Sequence, residues 1–585
     1  MDNYFVSSCK RVKDWICRQF GQKEKKTVHH KNFADGGEVI VWETGRAGEE
    51  AASYENLFLR KEIAGFRTNI RREQSCSIKS LTRDYLYEQL LSSGEYTFDH
   101  MLVIKDPYGE APLTALALFI LEEPACVRVT TRGDLKETDF VTELPKKKEH
   151  RVPILGMYAE KANTIVIEIL DDEGNCVKSH AFTIRTKRLP KSLRNVITVK
   201  KWTDKPAYSN IMINGGVKIH TCVFDIEGKI RYYLSRKPRG YGIFPLSDGH
   251  FFYMEKYISV PSYSNPQTVE SYDMDYFGRV FRTYLTEKGV HHTAEEKAGG
   301  NILTGSNSML EHTEDCVIEI DRQTGEIVWQ LNMEELFDET YQNMMDWCHV
   351  NSAAYYEKDR TILISLRNVH AVICVDYDTK KLRWILSDPK FWEGTKMTPY
   401  LLQPEGDVKW CYQQHAAFEI ALPDESNPQK KRIIVYDNHW AKRRKAKSFD
   451  KDPLSYVSFY DIDEEKKTVS LHKRFAGPKT RIRANGIYVP DKKRVYNMAG
   501  SYAEPVDGDG GGIFEYDYET GEVLSEFGVK PGFFRAYPFE PNVQELAEPM
   551  QVNGDYQVGQ IKQPHEISSS QYCKLKSEKK HHIKS

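Results

Sequence analysis

The feature that most constrains the fold is a strand–turn–strand pattern that recurs downstream of about residue 220. In each copy an apolar strand leads to an Asp, which opens a tight turn often closed by Gly, and a second strand follows. Successive turns are roughly 45–55 residues apart, with one longer interval near 85. The Asp residues that mark the turns are Asp225, Asp275, Asp321, Asp376, Asp461 and Asp517.

A period of this length, made of short strands, is typical of a β-propeller with four-stranded blades. Six turns predict six blades. A β-sandwich of repeated hairpins is the alternative, because it uses the same Asp and Gly turn chemistry. The regular period favours the propeller.

The region before the repeats contains short β-rich runs separated by Gly, Pro and charged clusters. HMLVIKD, TALALFIL, CVRVTTRG and RVPILGMY are such runs, and residues 164–186 form a predicted hairpin around Asp-Glu-Gly. Together they predict a small β-sandwich that ends near Pro190. The predicted fold class is therefore all-β, a six-bladed β-propeller preceded by a small N-terminal β-sandwich.

Bulk composition excludes several classes of protein. A formal net charge of -2 excludes a chain-wide nucleic-acid binder, and no stretch approaches the roughly 18 apolar residues of a membrane span. The N-terminus lacks the apolar run and small-residue cleavage site of a secretory signal. The 11 cysteines show no CxxC and no short-chain disulfide spacing, so we expect a cytoplasmic location.

A histidine opens three successive inner hairpins, at residues 291–308, 349–368 and 415–438. The innermost strands of a propeller surround its axis, so equivalent starting positions converge at one mouth of the channel. His349 and His415 should meet there with His292 or its neighbour His291. Arg367 returns on the strand beside His349 and is expected to end on the same side.

The chemistry of such a cluster is specific. Arginine offers an oxyanion a planar fork of donors. A neutral histidine beside that fixed cation can act as nucleophile or base, because the cation disfavours imidazolium.

Three other interpretations compete with this one. Three histidines would suit iron or zinc, but Arg367 would place a cation beside the metal, and no acidic residue accompanies the histidines in the repeat. A non-enzymatic, protein-binding propeller gives no reason for His and Arg to cluster. Cys348 or Cys411 could supply a thiol nucleophile, although free cysteines are more often buried and inert.

Four separated motifs follow one another along the chain. They are HH...GN.L, which begins at residue 291, HVNS at 349–352, an arginine 18 positions after the histidine of HVNS, and QHAA at 414–417. They resemble bacterial aryl-sulfate sulfotransferases, which use phenolic sulfate esters and no nucleotide sulfate donor. The resemblance covers roughly residues 95–550. It implies ping-pong transfer of a sulfuryl group from a phenolic sulfate to a phenolic acceptor, through a sulfohistidine.

The resemblance also implies roles for residues. His415 matches the histidine that becomes sulfated, and His292 matches a further pocket histidine, with His291 left open as the alternative. The groups that hold the sulfuryl and phenolic oxygens are matched by His349, Asn351 and Arg367.

We assign general acid and base catalysis to His349, since a leaving phenol has a pKa near 10. The expected partners are a small-molecule phenolic donor and acceptor, without nucleic acid, metal or other cofactor.

The predicted domain boundaries are an amphipathic helix at 1–28, the N-terminal region with the sandwich at 29–195, the catalytic propeller at 196–560 and a tail at 561–585. Apolar residues from Phe5 to Phe20 fall at helical spacing, with basic residues between them. Something should cover this stripe, because its exposure costs about 25 cal/mol per Å². A second subunit, giving a homodimer, or the sandwich would cover it; membrane contact is the least expected.

Overall fold

The computed structural model describes residues 28–33, 36–52, 76–216, 219–236, 241–258, 267–308, 312–337, 345–422, 427, 429–440 and 452–550. The amphipathic helix predicted for 1–28 lies outside the described residues apart from Val28, which begins a strand, and so does the tail predicted for 561–585. Within the described ranges, no helix combines the length and apolarity that a bilayer crossing requires.

The N-terminal domain is a seven-stranded β-structure, in which the second and third strands run parallel and the other pairs are antiparallel. Its strands are β1 (Val28–Asn32), β2 (Glu38–Trp42), β3 (His100–Lys105), β4 (Ala115–Thr131), β5 (Phe140–Ile154), β6 (Ala162–Leu170) and β7 (Cys176–Arg185).

One long strand joins the two layers of this domain. The first half of β4 pairs with β3 and its second half with β6, and register shifts between Ile120 and Val127 separate the halves. Val103 from one layer and Ile165 and Phe182 from the other pack in one core. The predicted small sandwich is confirmed, but two of the predicted runs, TALALFIL and CVRVTTRG, form the single strand β4.

Helices are few in the part of the chain that the structure describes. A buried ion pair ties the longest one to the sandwich, since Arg151 on β5 contacts Asp84 at 2.6 Å. Arg279, which precedes the propeller strand that begins at Val280, lies 3.5 Å from the same carboxylate. The propeller therefore also contacts this helix. The α-helices are Cys76–Ser92 and Val543–Ala547, residues 44–52 are also helical, and the 3-10 helices are Lys136–Thr138, Lys191–Leu193, Met333–Glu335, Arg367–Val369, Pro389–Phe391 and Thr398–Tyr400.

The remaining strands form a six-bladed propeller, which confirms the predicted blade count. Blade 1 comprises β9 (Asn210–Asn214), β10 (Cys222–Asp225), β11 (Ile230–Tyr233) and β32 (Arg535–Pro538). Blade 2 comprises β12 (Gly242–Pro245), β13 (Phe251–Ile258), β14 (Gln267–Met274) and the first half of β15 (Val280–Glu296). Blade 3 comprises the second half of β15, β16 (Ile302–Ser306), β17 (Cys316–Ile320) and β18 (Ile327–Asn332).

The last three blades follow in chain order. Blade 4 comprises β19 (Val350–Tyr356), β20 (Thr361–Leu366), β21 (Ala371–Asp376) and β22 (Leu382–Leu386). Blade 5 comprises β23 (Gln403–Pro404), β24 (His415–Ile420), β25 (Lys430–Asp437), β26 (Leu454–Asp463) and β27 (Thr468–Pro478). Blade 6 comprises β28 (Asn485–Val489), β29 (Arg494–Ala499), β30 (Gly511–Asp517), β31 (Val523–Val529) and β8 (Ile197–Lys201).

Both ends of the propeller segment close the ring. From the C-terminal end, β32 pairs with β9 as the innermost strand of blade 1. From the N-terminal end, β8 pairs with β31 as the outermost strand of blade 6. The first and last strands therefore belong to neighbouring blades, and backbone hydrogen bonds secure the closure on both the inside and the outside.

The Asp turns connect the third and fourth strands of each blade, counted from the axis, and one predicted Asp needs correction. In five blades the predicted Asp opens the turn by accepting backbone N–H bonds, as Asp275 does from Phe277 and Arg279 at 3.0 Å. The prediction of Asp461 is wrong, because this residue lies within β26 opposite Ser470. Asp463 opens the turn in blade 5 and accepts the N–H of Lys466 at 3.0 Å.

Candidate active site

The residue at the start of each innermost strand reaches the same mouth of the channel. Contacts join neighbours around it: the Tyr241 ring lies 4.4 Å from that of His292, which lies 4.7 Å from that of His349. The backbone N of Arg483 lies 3.2 Å from Nε2 of His415. We call the six residues at these positions the mouth ring. Blades 3, 4, 5, 6, 1 and 2 contribute, in that order, His292, His349, His415, Arg483, Arg535 and Tyr241.

A β-bulge lies at each of the three histidines. The register shifts between His291 and Ala294, between Val350 and Ser352, and between His415 and Ala417. His292 and His349 have φ values of 59° and 58°, and Ala416 has 50°. Bulges re-aim side chains, and non-glycine residues at positive φ are uncommon and cluster at functional sites.

His349 is held between two buried carboxylates. Its Nδ1 lies 2.6 Å from Oε2 of Glu314 and 3.0 Å from Oδ1 of Asp346. Burial alone would lower the pKa of His349, but the charges of Asp346 and Glu314 outweigh burial and raise the pKa to about 9. The ring is therefore protonated at neutral pH, and with Nδ1 directed at the carboxylates its Nε2 proton is left for a substrate.

His415 is held in the opposite protonation state. Its Nδ1 lies 2.6 Å from Oδ1 of Asn438, and an amide oxygen can only accept, so Nδ1 carries the hydrogen. Asn438 is oriented by its own amide group, which donates to Thr480 Oγ1 at 2.8 Å. Burial, followed by the charges of Arg367, His349 and Arg535, lowers the pKa of His415 well below its usual value. Nε2 thus bears a lone pair at neutral pH.

The two adjacent histidines of β15 differ in their surroundings. His292 lies beside His349, with its Nδ1 3.6 Å from Oε1 of Glu314, and burial together with His349 lowers its pKa well below the usual value. His291 is fully buried, and its Nε2 hydrogen-bonds the carbonyl of Ser306 at 2.8 Å. Of the pair, His292 is the one that joins the mouth ring.

Arg367 and Asn351 lie near the histidines of blades 4 and 5. The backbone N–H of Arg367 donates to the carbonyl of His349 at 3.1 Å, so both residues lie at the same end of blade 4. Asn351 donates through Nδ2 to the carbonyl of Gln414 at 2.8 Å. Its Oδ1 is buried and accepts no hydrogen bond from any residue that the structure describes.

Comparison with known proteins identifies the family. The family model described as Arylsulfotransferase (ASST) matches residues 196–535, and the model described as Arylsulfotransferase Ig-like domain matches residues 102–187. The chain belongs to the arylsulfotransferase family.

Two curated relatives of this arylsulfotransferase are named arylsulfate sulfotransferase AssT. The protein from Lelliottia amnigena is 21% identical, over 73% of this chain and 90% of its own length. The protein from Escherichia coli O6:H1 is 22% identical, over the same shares of the two chains.

Several residues of this arylsulfotransferase site are not indicated by the repeat pattern. Glu314, Asp346 and Asn438 occupy loops or strand ends, where acidic and amide residues are common. Tyr241, Arg483 and Arg535 carry a signal that could have found them, since each begins an innermost strand or lies within two residues before one. Aligning those starts across all six blades would have placed them beside the three histidines.

No acidic residue accompanies the histidines in the repeat, yet Glu314 and Asp346, which lie outside the repeat, contact His349. Two groups of potential metal ligands share Glu314, one with His291 and His292, the other with Asp346 and His349. Nδ1 of His349 lies 2.6 Å from Oε2 of Glu314, which is an ion-pair contact. Ligands on a tetrahedral zinc would be about 3.3 Å apart for bonds of 2.0–2.1 Å, so the spacing fits direct pairing of opposite charges better than two ligands of one zinc ion.

The two cysteines near the site are poor nucleophiles. Cys348 and Cys411 are both buried, and burial raises the pKa of both thiols. A thiol that stays protonated at neutral pH is a weak nucleophile. The geometry therefore favours nitrogen over sulfur as the attacking atom.

Proposed function

We propose that this protein transfers a sulfuryl group from a phenolic sulfate ester to a phenolic acceptor, in two steps through a sulfohistidine at His415. One observation carries the proposal: the rings of two buried histidines on neighbouring blades have opposite partners, two carboxylates at Nδ1 of His349 and an amide oxygen at Nδ1 of His415. His415 is neutral with its lone pair on Nε2, and Glu314 and Asp346 keep His349 protonated. Titratable pairs whose pKa values are driven apart supply the nucleophile and the acid of a transfer reaction.

In the first step Nε2 of His415 attacks the sulfur of the donor. A nitrogen–sulfur bond forms and the bond from sulfur to the phenolic oxygen breaks, with the electron pair leaving on that oxygen. The oxygen takes the Nε2 proton of His349, which favours departure of a phenol whose pKa is near 10. Sulfuryl transfer resembles phosphoryl transfer, in which positioning and electrostatics carry most of the catalysis.

Fixed cations balance the charge of the transferred group. A sulfate monoester carries one negative charge, and Arg367 and Arg535 offer planar guanidinium groups that suit its oxygens. Arg535 is 2% exposed and donates to the carbonyl of Asn351 at 2.7 Å. Its guanidinium also lies 5.5 Å from the ring centroid of Phe534, and these two contacts hold the side chain in place.

In the second step an acceptor phenol gives its proton to Nε2 of His349. The phenolic oxygen attacks sulfur, the nitrogen–sulfur bond breaks, and the electron pair returns to Nε2 of His415. Because Asn438 keeps the Nδ1 hydrogen in place, the ring departs as neutral imidazole.

Asn351 suits the phenolic hydroxyl better than the sulfuryl group. Its buried Oδ1 can only accept a hydrogen bond, and sulfuryl oxygens are acceptors as well. A phenolic O–H is a donor of matching chemistry, so we assign Asn351 to the acceptor phenol before it loses its proton.

Intact-mass spectrometry tests the intermediate. Mixing the protein with 4-nitrophenyl sulfate, without an acceptor, should add about 80 Da to the chain. His415→Ala should abolish the adduct, and His472→Ala, whose side chain is 33% exposed on β27, should form it normally. An adduct that forms in His415→Ala at the wild-type rate would show that the nucleophile is wrong.

Elemental analysis tests the alternative of a metal-dependent enzyme. We expect the adduct to form equally well after dialysis against a chelator. A stoichiometric transition metal, together with loss of the adduct on chelation, would favour a metal centre at Glu314, Asp346 and His349.

We also propose a cytoplasmic location and a homodimer, which stay predictions. The apolar stripe from Phe5 to Phe20, which motivates the dimer, lies outside the described residues. Cell fractionation tests the location. Light scattering on the full chain and on a chain lacking the first 25 residues tests the dimer, and a monomer in both samples would contradict it.

A further inference from the structure

Arg483 is the mouth-ring residue of blade 6, and its backbone is strained. Its φ is 68°, and that of Ala484 is 104°, so two successive non-glycine residues have positive φ. Hydrogen bonds hold this backbone at the nucleophile. The N–H of Arg483 donates to Nε2 of His415 at 3.2 Å, and its carbonyl accepts from Nδ2 of Asn438 at 3.2 Å. Strain of this kind persists where surrounding contacts enforce it, most often at functional sites.

The guanidinium of Arg483 is half-buried and has neither a hydrogen bond nor an ion pair with any residue in the described ranges. Burial lowers the pKa of Arg483, and no carboxylate among the described residues offsets this effect. The other two arginines of the site differ, because Arg367 donates to Asn368 Oδ1 at 3.1 Å and Arg535 donates to the carbonyl of Asn351. A partly buried cation without a partner is costly until an anion binds it.

The position of this guanidinium points to the pocket. Its charge acts on the hydroxyl of Tyr241, which belongs to blade 2, two blades away around the ring. Tyr241 in turn donates to Oε1 of Glu314 at 3.3 Å and contacts the ring of His292. Arg483 therefore lies at the channel mouth, with its backbone at His415 and its charge within electrostatic reach of Tyr241.

We propose that Arg483 is an anion-binding residue of the sulfuryl pocket, whose backbone N–H and guanidinium together bind sulfuryl oxygens in the donor complex and in the sulfohistidine. The proposal rests on the proposed function of His415. A sulfuryl group bonded to Nε2 has its oxygens next to the N–H that now contacts that nitrogen. Paired donors aimed at developing charge act as an oxyanion hole, and the guanidinium adds a fixed positive charge to it.

Replacement by glycine isolates the side chain. Glycine adopts a φ of 68° without strain, so Arg483→Gly should keep the backbone contact with His415 and lose only the guanidinium. Arg481→Gly is the matched control, because Arg481 lies in the same loop, has a 50% exposed side chain and pairs with Glu504 at 3.3 Å.

The first measurement is the burst of 4-nitrophenol from 4-nitrophenyl sulfate. We expect Arg483→Gly to slow the burst by about 10²–10³-fold, the usual loss for one oxyanion donor, and to weaken inhibition by inorganic sulfate. Millimolar guanidinium chloride should restore part of the rate, whereas sodium chloride at equal ionic strength should not. Arg481→Gly should match the wild type in both assays.

Two results would overturn the proposal. One is an Arg483→Gly burst within threefold of the wild type, with unchanged sulfate inhibition. The other is a slow burst that guanidinium does not restore while sulfate inhibition is unchanged, which would indicate a structural role.

The wild-type burst reports on the proposed function, and the ratio between variants reports on Arg483. If the wild type shows no burst, calorimetric titration of both proteins with sodium sulfate still tests anion binding by Arg483: weaker binding by the variant supports it and equal binding overturns it.

Discussion

The mouth ring has two unlike halves built on the same structural position. Blades 3 to 5 contribute three histidines, and blades 6, 1 and 2 contribute two arginines and a tyrosine. Only the histidine half has bulges: the register is regular where β12 meets β13, where β28 meets β29 and where β32 meets β9. Histidine is short and must present one particular nitrogen, so a bulge re-orients its strand, whereas Tyr241 and Arg535 lie at strands of regular register and Arg483 lies in the strained segment before β28.

This difference separates two tasks. The histidine half forms the bond to sulfur and moves protons, which requires rings fixed in one protonation state. The arginine half holds negative charge, which requires only that cations stay near the pocket. Loss of a histidine should therefore change how the rate depends on the leaving group or on pH, and loss of an arginine should weaken the binding of anions.

The largest effect should come from the acid. His349→Gln should slow the first step by about 10²–10⁴-fold with phenyl sulfate, because the departing phenol loses its proton donor. The loss should be smaller with 4-nitrophenyl sulfate, whose more acidic phenol needs less assistance. Single-turnover rates for both donors measure the difference. Equal losses for the two donors would assign His349 a role other than acid catalysis.

The next effect concerns orientation of the nucleophile. Asn438→Ala removes the acceptor that holds the Nδ1 hydrogen of His415 and should slow adduct formation about tenfold, the equivalent of one hydrogen bond. Adduct growth followed by intact mass measures it. Asn427→Ala, on the loop before β25, is the control and should leave the rate unchanged. A wild-type rate in Asn438→Ala would show that the ring is oriented by other contacts.

A third test changes the pH dependence rather than the maximal rate. The acid form of His349 exists below its pKa of about 9, so the first step should stay fast up to that pH and decline above it. Glu314→Gln removes one of the two charges that raise this pKa and should move the decline toward 6.5, the ordinary value for histidine. Burst rates between pH 5 and 10 measure the shift. Glu326→Gln, exposed on the outer turn of blade 3, is the control, and a profile that does not move in Glu314→Gln would contradict the assignment.

The same carboxylates link folding stability to pH. Because the folded-state pKa of His349 lies above that of the unfolded chain, its contribution to stability is complete below about pH 6.5 and is lost as pH rises through about 9. Glu314→Gln should therefore flatten the pH dependence of the denaturation midpoint within this window.

The smallest effect should come from an outer hairpin. Asp321→Ala removes the acceptor for the N–H groups of Gln323 and Thr324, at 2.9 and 2.8 Å, and should cost about 0.5–1.5 kcal/mol of the free energy of unfolding. The burst should not change, because the turn lies at the opposite edge of the blade from the mouth ring. Denaturant midpoints and burst rates measure the two quantities. A slower burst would show that outer turns influence the site.

The sequence by itself determined the blade number and the convergence of the histidines. Both follow from local chemistry: an Asp side chain accepts the N–H groups of its own turn, and a repeated hairpin places equivalent residues at equivalent points around the axis. The same local reasoning could not choose between Asp461 and Asp463, because residues two apart on a strand lie on the same face of the sheet. Only the pairing of β26 with β27 shows that the strand ends at Asp463.

Only the tertiary structure decided the protonation states and the charged partners. A histidine pKa depends on burial and on charges within a few ångströms, and for His349 those charges come from Glu314, in the loop between β16 and β17, and from Asp346, three residues before it. Arg535 on blade 1 donates a hydrogen bond to the carbonyl of Asn351 on blade 4, although 184 residues separate the two in the sequence. Such contacts follow from how blades pack and close, which no local pattern encodes, and they decide which histidine is the acid and which is the nucleophile.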